Sequence, residues 1–282
     1  MRMVVMEALD RAARRALDIV VAITVLMLAA PLLALIALAV VIESPGPVLY
    51  AAERVGRHRG RLRMLKVRKM RVGASGLPLT TAADGRLTHV GRFLARTRLD
   101  ELPQLWHVLR GEMSLVGPRP EDPLFVAARA DDYDVILTVR PGLTGLAQLA
   151  FADERRILSD TDPVRDYIER LQPQKCRLDR LYVERASLAA NLRILAWTVA
   201  VTVLRLPVAV DRATAAIGRR RRPAEVAEGA ARALTRAAVL LAPTPRQADA
   251  APASYAETAA ASPSAARIAQ SLQDASPPAG RR

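Results

Sequence analysis

Asp100 and Glu101 stand side by side, with Pro103 close behind and apolar residues at Leu102, Leu105, Trp106 and Leu109. Proline is tolerated in the first turn of a helix, so Pro103 marks a helix start to within a residue or two. Asp100 then falls at or near the N-cap, where the positive end of the helix dipole favours an ionised carboxylate. An ionised carboxylate is what a nucleophile attacking phosphorus has to be. The neighbouring Glu101 is an oxygen ligand of the kind Mg²⁺ takes alongside substrate phosphates. On local grounds alone, a plain capping aspartate with an acidic first turn is the commoner meaning of such a pair.

Cationic partners for phosphate are present in three other places. Lys66 and Arg68 are alternate residues of a β-prone stretch and therefore share a face. Arg119 lies within Gly117-Pro118-Arg119-Pro120, and Arg140 opens Arg140-Pro141-Gly142-Leu143-Thr144-Gly145. Stiff Pro/Gly loops suit guanidinium forks aimed at phosphate oxygens, although each arginine taken singly reads as solvated surface.

The elements that would position these groups follow from patterning. Ile19 to Ile42 is an uncharged apolar run of 24 residues, above the roughly 20 that cross a hydrocarbon core. Pro31 sits near its middle, where a helix should kink or break. Arg11, Arg14 and Arg15 precede the run, and Arg54, Arg57, Arg59, Arg61 and Arg63 follow it. Charge on both flanks fits a hairpin that enters one leaflet and returns; an ordinary signal anchor fits the composition equally well. The net charge is +14, and nine Lys/Arg face only Glu53 between Tyr50 and Arg71. Such a cluster beside an apolar anchor suits anionic head groups or a phosphate-rich ligand. Only ten aromatic residues occur, and they do not interleave with the basic cluster as nucleic-acid stacking platforms would, so nucleic acid is not expected as a partner. Cys176 is the sole cysteine, which excludes an intramolecular disulfide.

Further along, the sequence predicts a small hairpin within Val48 to Met70, a loop from Gly73 to Asp84, and helices over Leu87 to Arg98, Leu102 to Leu109, Tyr167 to Val183 and Leu188 to Leu204. Arg219 to Arg222 is a tetra-arginine block, followed by an Ala-rich pattern and an Ala/Pro/Ser-rich end that reads as disordered. The expectation is an α+β chain, mainly helical with a short β-hairpin, an N-terminal re-entrant membrane helix and a disordered C-terminal tail. Its expected divisions are 1–47, 48–206 and 207–282.

The stretch from Arg98 through Asp100-Glu101-Leu102-Pro103-Gln104-Leu105-Trp106 to Gly117-Pro118-Arg119-Pro120 resembles the signature of the bacterial sugar transferases. These are the monotopic polyprenyl-phosphate phosphoglycosyltransferases, and the match is to their compact form. Similar pieces follow the family order: Ser44-Pro45-Gly46-Pro47-Val48, Glu53-Arg54-Val55-Gly56, Lys66-Val67-Arg68-Lys69-Met70, Val90-Gly91-Arg92-Phe93-Leu94, Arg140-Pro141-Gly142-Leu143-Thr144-Gly145 and Lys175-Cys176-Arg177-Leu178-Asp179. The resemblance covers roughly residues 7 to 204. It departs at Ala30, where Ser is frequent, at Ala95, where Arg is frequent and Arg96 and Arg98 are the candidate substitutes, and at His107, where Asn is usual.

The resemblance implies a helix broken at Pro31 and a two-step reaction at the cytoplasmic face of a bacterial membrane. Asp100 would attack the β-phosphate of a UDP-sugar, release UMP and hold the phosphosugar; membrane polyprenyl phosphate would then take it. Glu101 would hold Mg²⁺, with Lys66, Arg68, Arg119, Arg140 and Asp179 as substrate contacts. For Asp179 and Tyr182, three apart on one helix, a structural hydrogen bond is as good a reading as a contact to uridine or metal. Such a product starts exopolysaccharide or surface-glycan assembly by downstream glycosyltransferases. The rival is a non-enzymatic membrane adaptor whose basic cluster binds anionic lipid or nucleic acid; the intact Asp100-Glu101 pair with Pro103 and Arg119 speaks against it. Nothing in the sequence signals an oligomeric state.

Overall fold

The computed structural model describes residues 2–74, 79, 84–152, 154, 158 and 162–219. The chain opens with helix α1, Arg2–Glu43, 42 residues long with Pro31 inside it. The break expected at Pro31 does not interrupt the helix. A proline removes one N–H donor, and the bonds on either side carry the helix through. Among the described residues α1 is the one helix long and apolar enough to cross a membrane. Its apolar side chains are largely uncovered by protein; Met27 and Leu28 are 73% and 75% exposed.

Both ends of α1 are tied to the same folded unit. Near the N-terminal end, Asp10 accepts from the Leu188 amide at 2.8 Å, and Arg15 donates to the Val108 and Leu109 carbonyls at 2.6 and 2.8 Å. Asp18 accepts from the Leu115 amide (2.9 Å) and the Ser114 hydroxyl (2.8 Å). At the other end, Glu43 accepts from the His89 and Val90 amides at 2.5 and 2.7 Å, and Ile36 and Val40 pack with Val67 and Leu94.

Strands β1 (Leu49–Val55) and β2 (Arg61–Val67) form the expected antiparallel hairpin, in register from Leu49 opposite Val67 to Val55 opposite Arg61. Alternation turns Leu62 and Met64 of β2 inward. Helix α2 (His89–Thr97) begins at Thr88, whose side chain accepts from the Gly91 amide, and ends at Arg98 in the left-handed region. A 3₁₀ turn, Leu99–Gln104, leads into α3 (Leu105–Arg110), which Gly111 closes with a φ of 78°. The expected loop at 73–84 lies mostly outside the described residues.

Strand β3 (Ser114–Val116) pairs in parallel with β4 (Gly142–Thr144), after a crossover that contains α4 (Pro123–Ala128) and α5 (Ala130–Ile136). The pairing lays one Pro/Gly loop on the other so closely that a Cβ on Gly142 would lie 2.1 Å from the Gly117 nitrogen. Glycine is required there by the close approach of two backbones. Short helices α6 (Leu146–Ala150) and α7 (Pro163–Asp166) precede a π turn, Tyr167–Leu171, that continues into α8 (Gln172–Arg185). Helix α9 (Leu188–Thr202) follows. The main core joins Met64, Leu105, Met113, Phe125, Leu178 and Ile194.

The compact unit continues past the expected limit at residue 206. Strands β5 (Val208–Val210) and β6 (Ile217–Arg219) pair antiparallel, Ile217 enters the main core, and the unit runs to Arg220. Apart from Arg219, the tetra-arginine block and everything after it lie outside the described residues.

Candidate active site

A cavity of about 200 Å³ opens between β2, the 3₁₀ turn, the loop after β3 and the helical run from Tyr167. Lys66 enters it because it shares the inward parity of Leu62 and Met64. A lysine on a buried face needs a counter-charge, and Glu101 supplies one at 3.3 Å. Arg119 grips the same carboxylate with both Nη atoms, one of them 3.3 Å from Oε2. Burial alone would raise the Glu101 carboxyl, but Arg119 and Lys66 together outweigh it and hold it well below the usual carboxylate range. Burial pushes Lys66 down to about 8, against the pull of Glu101 and with help from Arg119.

Asp100 sits at the wall of this cavity, 2% exposed, with its Oδ2 2.8 Å from Lys69 Nζ. It falls near the cap, as expected, but not on it. Arg98 occupies the cap position, no side chain caps the turn, and Asp100 is the second residue of the turn itself. Its counter-charge is the Lys69 ammonium. Trp106, placed on the apolar face by its spacing, is 52% exposed, while Leu105 is buried.

At the other side of the cavity Lys175 donates to Tyr167 at 2.8 Å and to Glu154 at 3.2 Å, and lies 3.6 Å from Glu121. The Tyr167 hydroxyl donates to Glu121 in turn. Fully enclosed, Lys175 still keeps its proton, because Glu121 and Glu154 outweigh the burial that would depress it.

Of the residues expected at the site, the fold brings together Asp100, Glu101, Lys66 and Arg119. Arg68, Arg140 and Asp179 do not line the cavity. Arg68 turns away at the end of β2 and donates to the Ser44 carbonyl beneath α1. Arg140 lies beside Gly111, on the side where Arg15 of α1 docks. Asp179 is buried in α8 and burial pushes its carboxyl up to about 8; Tyr182, one turn on, bonds the Val116 carbonyl and Asn191.

Sequence reasoning missed Lys69, Lys175, Tyr167, Glu121 and Glu154. Strand parity sets Lys69 on the face opposite Lys66, but the strand stops at Val67 and the chain then turns toward a bridge between Met70 and Leu87. Lys175 lay within a quoted family segment without a role. Of the two substitutes for Ala95, Arg98 is the one that lines the cavity, its guanidinium held by the Ala152 carbonyl at 2.8 Å. His107 has a structural part: its Nε2 accepts from the Leu65 amide beside Lys66, and its Nδ1 meets Glu112 at 2.6 Å.

Among the described residues, no cluster of three His, Cys, Asp or Glu side chains offers a self-sufficient metal cage. Glu101 is one carboxylate of the kind a hard cation takes alongside phosphate and water, and its two oxygens are held here by Arg119 and Lys66.

A model of the bacterial sugar transferase family matches residues 9–205. The chain belongs to that family. This bacterial sugar transferase is 41% identical over 191 residues to the UDP-glucose:undecaprenyl-phosphate glucose-1-phosphate transferase of Caulobacter vibrioides, an overlap covering 66% of this chain and 68% of that one. An exopolysaccharide production protein of Rhizobium leguminosarum bv. phaseoli is 35% identical over 204 residues, 68% of this chain and 95% of that one. The undecaprenyl-phosphate galactose phosphotransferase of Salmonella typhimurium matches at 38% over 158 residues, but that overlap is only 33% of its length. The sugars named in two of these relatives differ, glucose in one and galactose in the other.

Proposed function

We propose that the protein transfers a sugar-1-phosphate from a UDP-sugar to membrane polyprenyl phosphate, releasing UMP, as a first step of exopolysaccharide or surface-glycan assembly. The observation that carries this reading is a pair of adjacent carboxylates, Asp100 buried and Glu101 partly so, with separate cations: Asp100 on Lys69, Glu101 on Arg119 and Lys66. An oxygen of Asp100 attacks the β-phosphorus, and the bond to UMP breaks with its electron pair leaving on UMP. An oxygen of polyprenyl phosphate then attacks the same phosphorus, and the electron pair returns to Asp100. Lys66, Arg98 and Arg119 line the cavity where the diphosphate must lie and offset its charge. Glu101 is the residue that would hold Mg²⁺, which when bound neutralises the diphosphate and the departing UMP. The adaptor alternative loses support, because Lys66, Lys69 and Arg119 line the cavity and exposed Arg59 and Arg61 are paired with Asp134 and Glu53.

The membrane arrangement we propose is a re-entrant α1. A helix spanning the bilayer would put its ends on opposite sides, whereas Arg15, Asp18 and Glu43 all bond one folded unit. Pro31, lacking a hydrogen-bond donor mid-helix, is the natural place for the bend. The donor nucleotide then binds on the cytoplasmic face.

A carboxylate nucleophile is not replaced by its amide. Asp100→Asn is expected to lower UMP release from a UDP-sugar panel, assayed with polyprenyl phosphate and Mg²⁺, by about 10³-fold or more with the fold retained. Wild-type turnover in folded Asp100→Asn would sink the covalent reading.

A further inference from the structure

We propose that Lys69 is a catalytic residue of this transfer: it clamps Oδ2 of Asp100, leaving Oδ1 as the attacking oxygen, and passes to the phosphoryl oxygens once Asp100 carries the phosphosugar. The inference rests on the covalent reading above. Asp100 Oδ2 is buried and accepts no hydrogen bond of regular geometry, and Lys69, 2.8 Å away, is the one cation within ion-pair distance of Asp100 among the described residues. Lys66 and Arg119 are occupied by Glu101 instead. Since Asp100 faces the cavity while Oδ2 is enclosed and ion-paired to Lys69, the attacking lone pair belongs to Oδ1.

The pair is held from both ends of one short helix. The Lys69 carbonyl accepts from the Thr88 amide at 3.0 Å, where Thr88 caps α2. A Cβ on Gly91, in the first turn of α2, would lie 1.9 Å from that carbonyl oxygen, so the helix start and the Lys69 backbone are in direct contact. At its C-terminal end α2 runs through left-handed Arg98 into the turn that carries Asp100. Helix α2 therefore sets where Lys69 starts and where Asp100 ends up.

The step balances without proton transfer. The Oδ1 lone pair forms the bond to phosphorus, and the bond to UMP breaks toward UMP. Asp100 has then lost its charge, and the nearest anionic atoms for the Lys69 ammonium are the transferred phosphoryl oxygens. When polyprenyl phosphate displaces Asp100, the carboxylate and its lysine re-pair. An ammonium acting this way lowers the barrier without adding much to donor binding.

Lys69→Met retains the apolar stem, so the fold is expected to persist. Its kcat for UMP release should fall by about 10²-fold while KM for the UDP-sugar stays within about threefold. Lys69→Cys should lose activity similarly and regain about tenfold or more after aminoethylation with 2-bromoethylamine, which rebuilds an ammonium there. The sole native cysteine, Cys176, is buried, which directs the reagent to the new thiol. Unchanged kcat in Lys69→Met, or aminoethylated Lys69→Cys that regains nothing, overturns the role. If Asp100→Asn is inactive while Lys69→Met turns over normally, this inference alone fails; if both turn over normally, the covalent reading fails with it.

Discussion

Asp100 and Glu101 are chemically alike and adjacent, yet the fold gives them different partners. Lys69 meets one and an Arg119–Lys66 pair meets the other, so each buried charge has its own compensation. Asp179 shows the opposite case. It is 5% exposed, its Oδ1 has no hydrogen-bond partner, and burial pushes its carboxyl up to about 8, with Lys175 pulling the other way. Between the ordinary carboxylate range and pH 8, the folded chain holds a proton there that the unfolded chain has released. This group's contribution to stability therefore falls as pH rises from about 4 through 8. Asp179→Asn removes that dependence. Its stability relative to wild type should rise between pH 5 and pH 8.5 by on the order of 4 kcal/mol, read from the denaturant midpoints. A midpoint difference that does not change with pH would show that Asp179 does not titrate in this window.

At the scale of elements, period-2 alternation correctly turned Lys66 inward and wrongly placed Arg68 beside it. Alternation governs side chains only while the strand lasts, and β2 ends at Val67. The next cation to reach the site is Lys69, brought there by packing against α2. Gly91 is the point where that packing is tightest. Gly91→Ala would put a methyl against the Lys69 carbonyl, force α2 and Lys69 apart and disturb the Thr88 cap. It is expected to cost about 1–3 kcal/mol and at least about tenfold in UMP release. Gly85→Ala, where a Cβ meets nothing within 4 Å, is the matched control and should be near neutral. Equal melting temperatures for the two variants would contradict the close approach.

For the whole molecule, α1 is tied into the folded unit near both of its ends. Its N-terminal portion caps α3 through Arg15 and α9 through Asp10, and its last residue, Glu43, caps α2. Withdrawing either end would leave backbone groups of the unit without these partners. Tags at the two chain ends should therefore both be protected from protease added to intact cells, and exposed together once the membrane is permeabilised. Cleavage of the N-terminal tag in intact cells would mean that α1 spans the bilayer.

Much of this was legible in residues alone, because it depends on local chemistry. The apolar run around Pro31, the β1–β2 hairpin, the helix stop at Gly111 and the adjacent acids each follow from spacing, turn formers or periodicity. The long match from Arg98 to Pro120 carried the family itself. What the sequence left open depended on contacts between distant segments. Asp100 resembles an N-cap in sequence, and only the packing of Lys69 beneath it shows a buried ion pair. Arg68 and Arg140 sit in convincing motifs, but one reaches Ser44 and the other lies beside Gly111. The β5–β6 hairpin has strands of three residues, too short for a periodic signal, and it is Ile217 in the main core that makes it part of the unit. A side chain's type is written in the sequence; the counter-charge that decides its chemistry is chosen by tertiary structure, because buried charges pair through space and not along the chain.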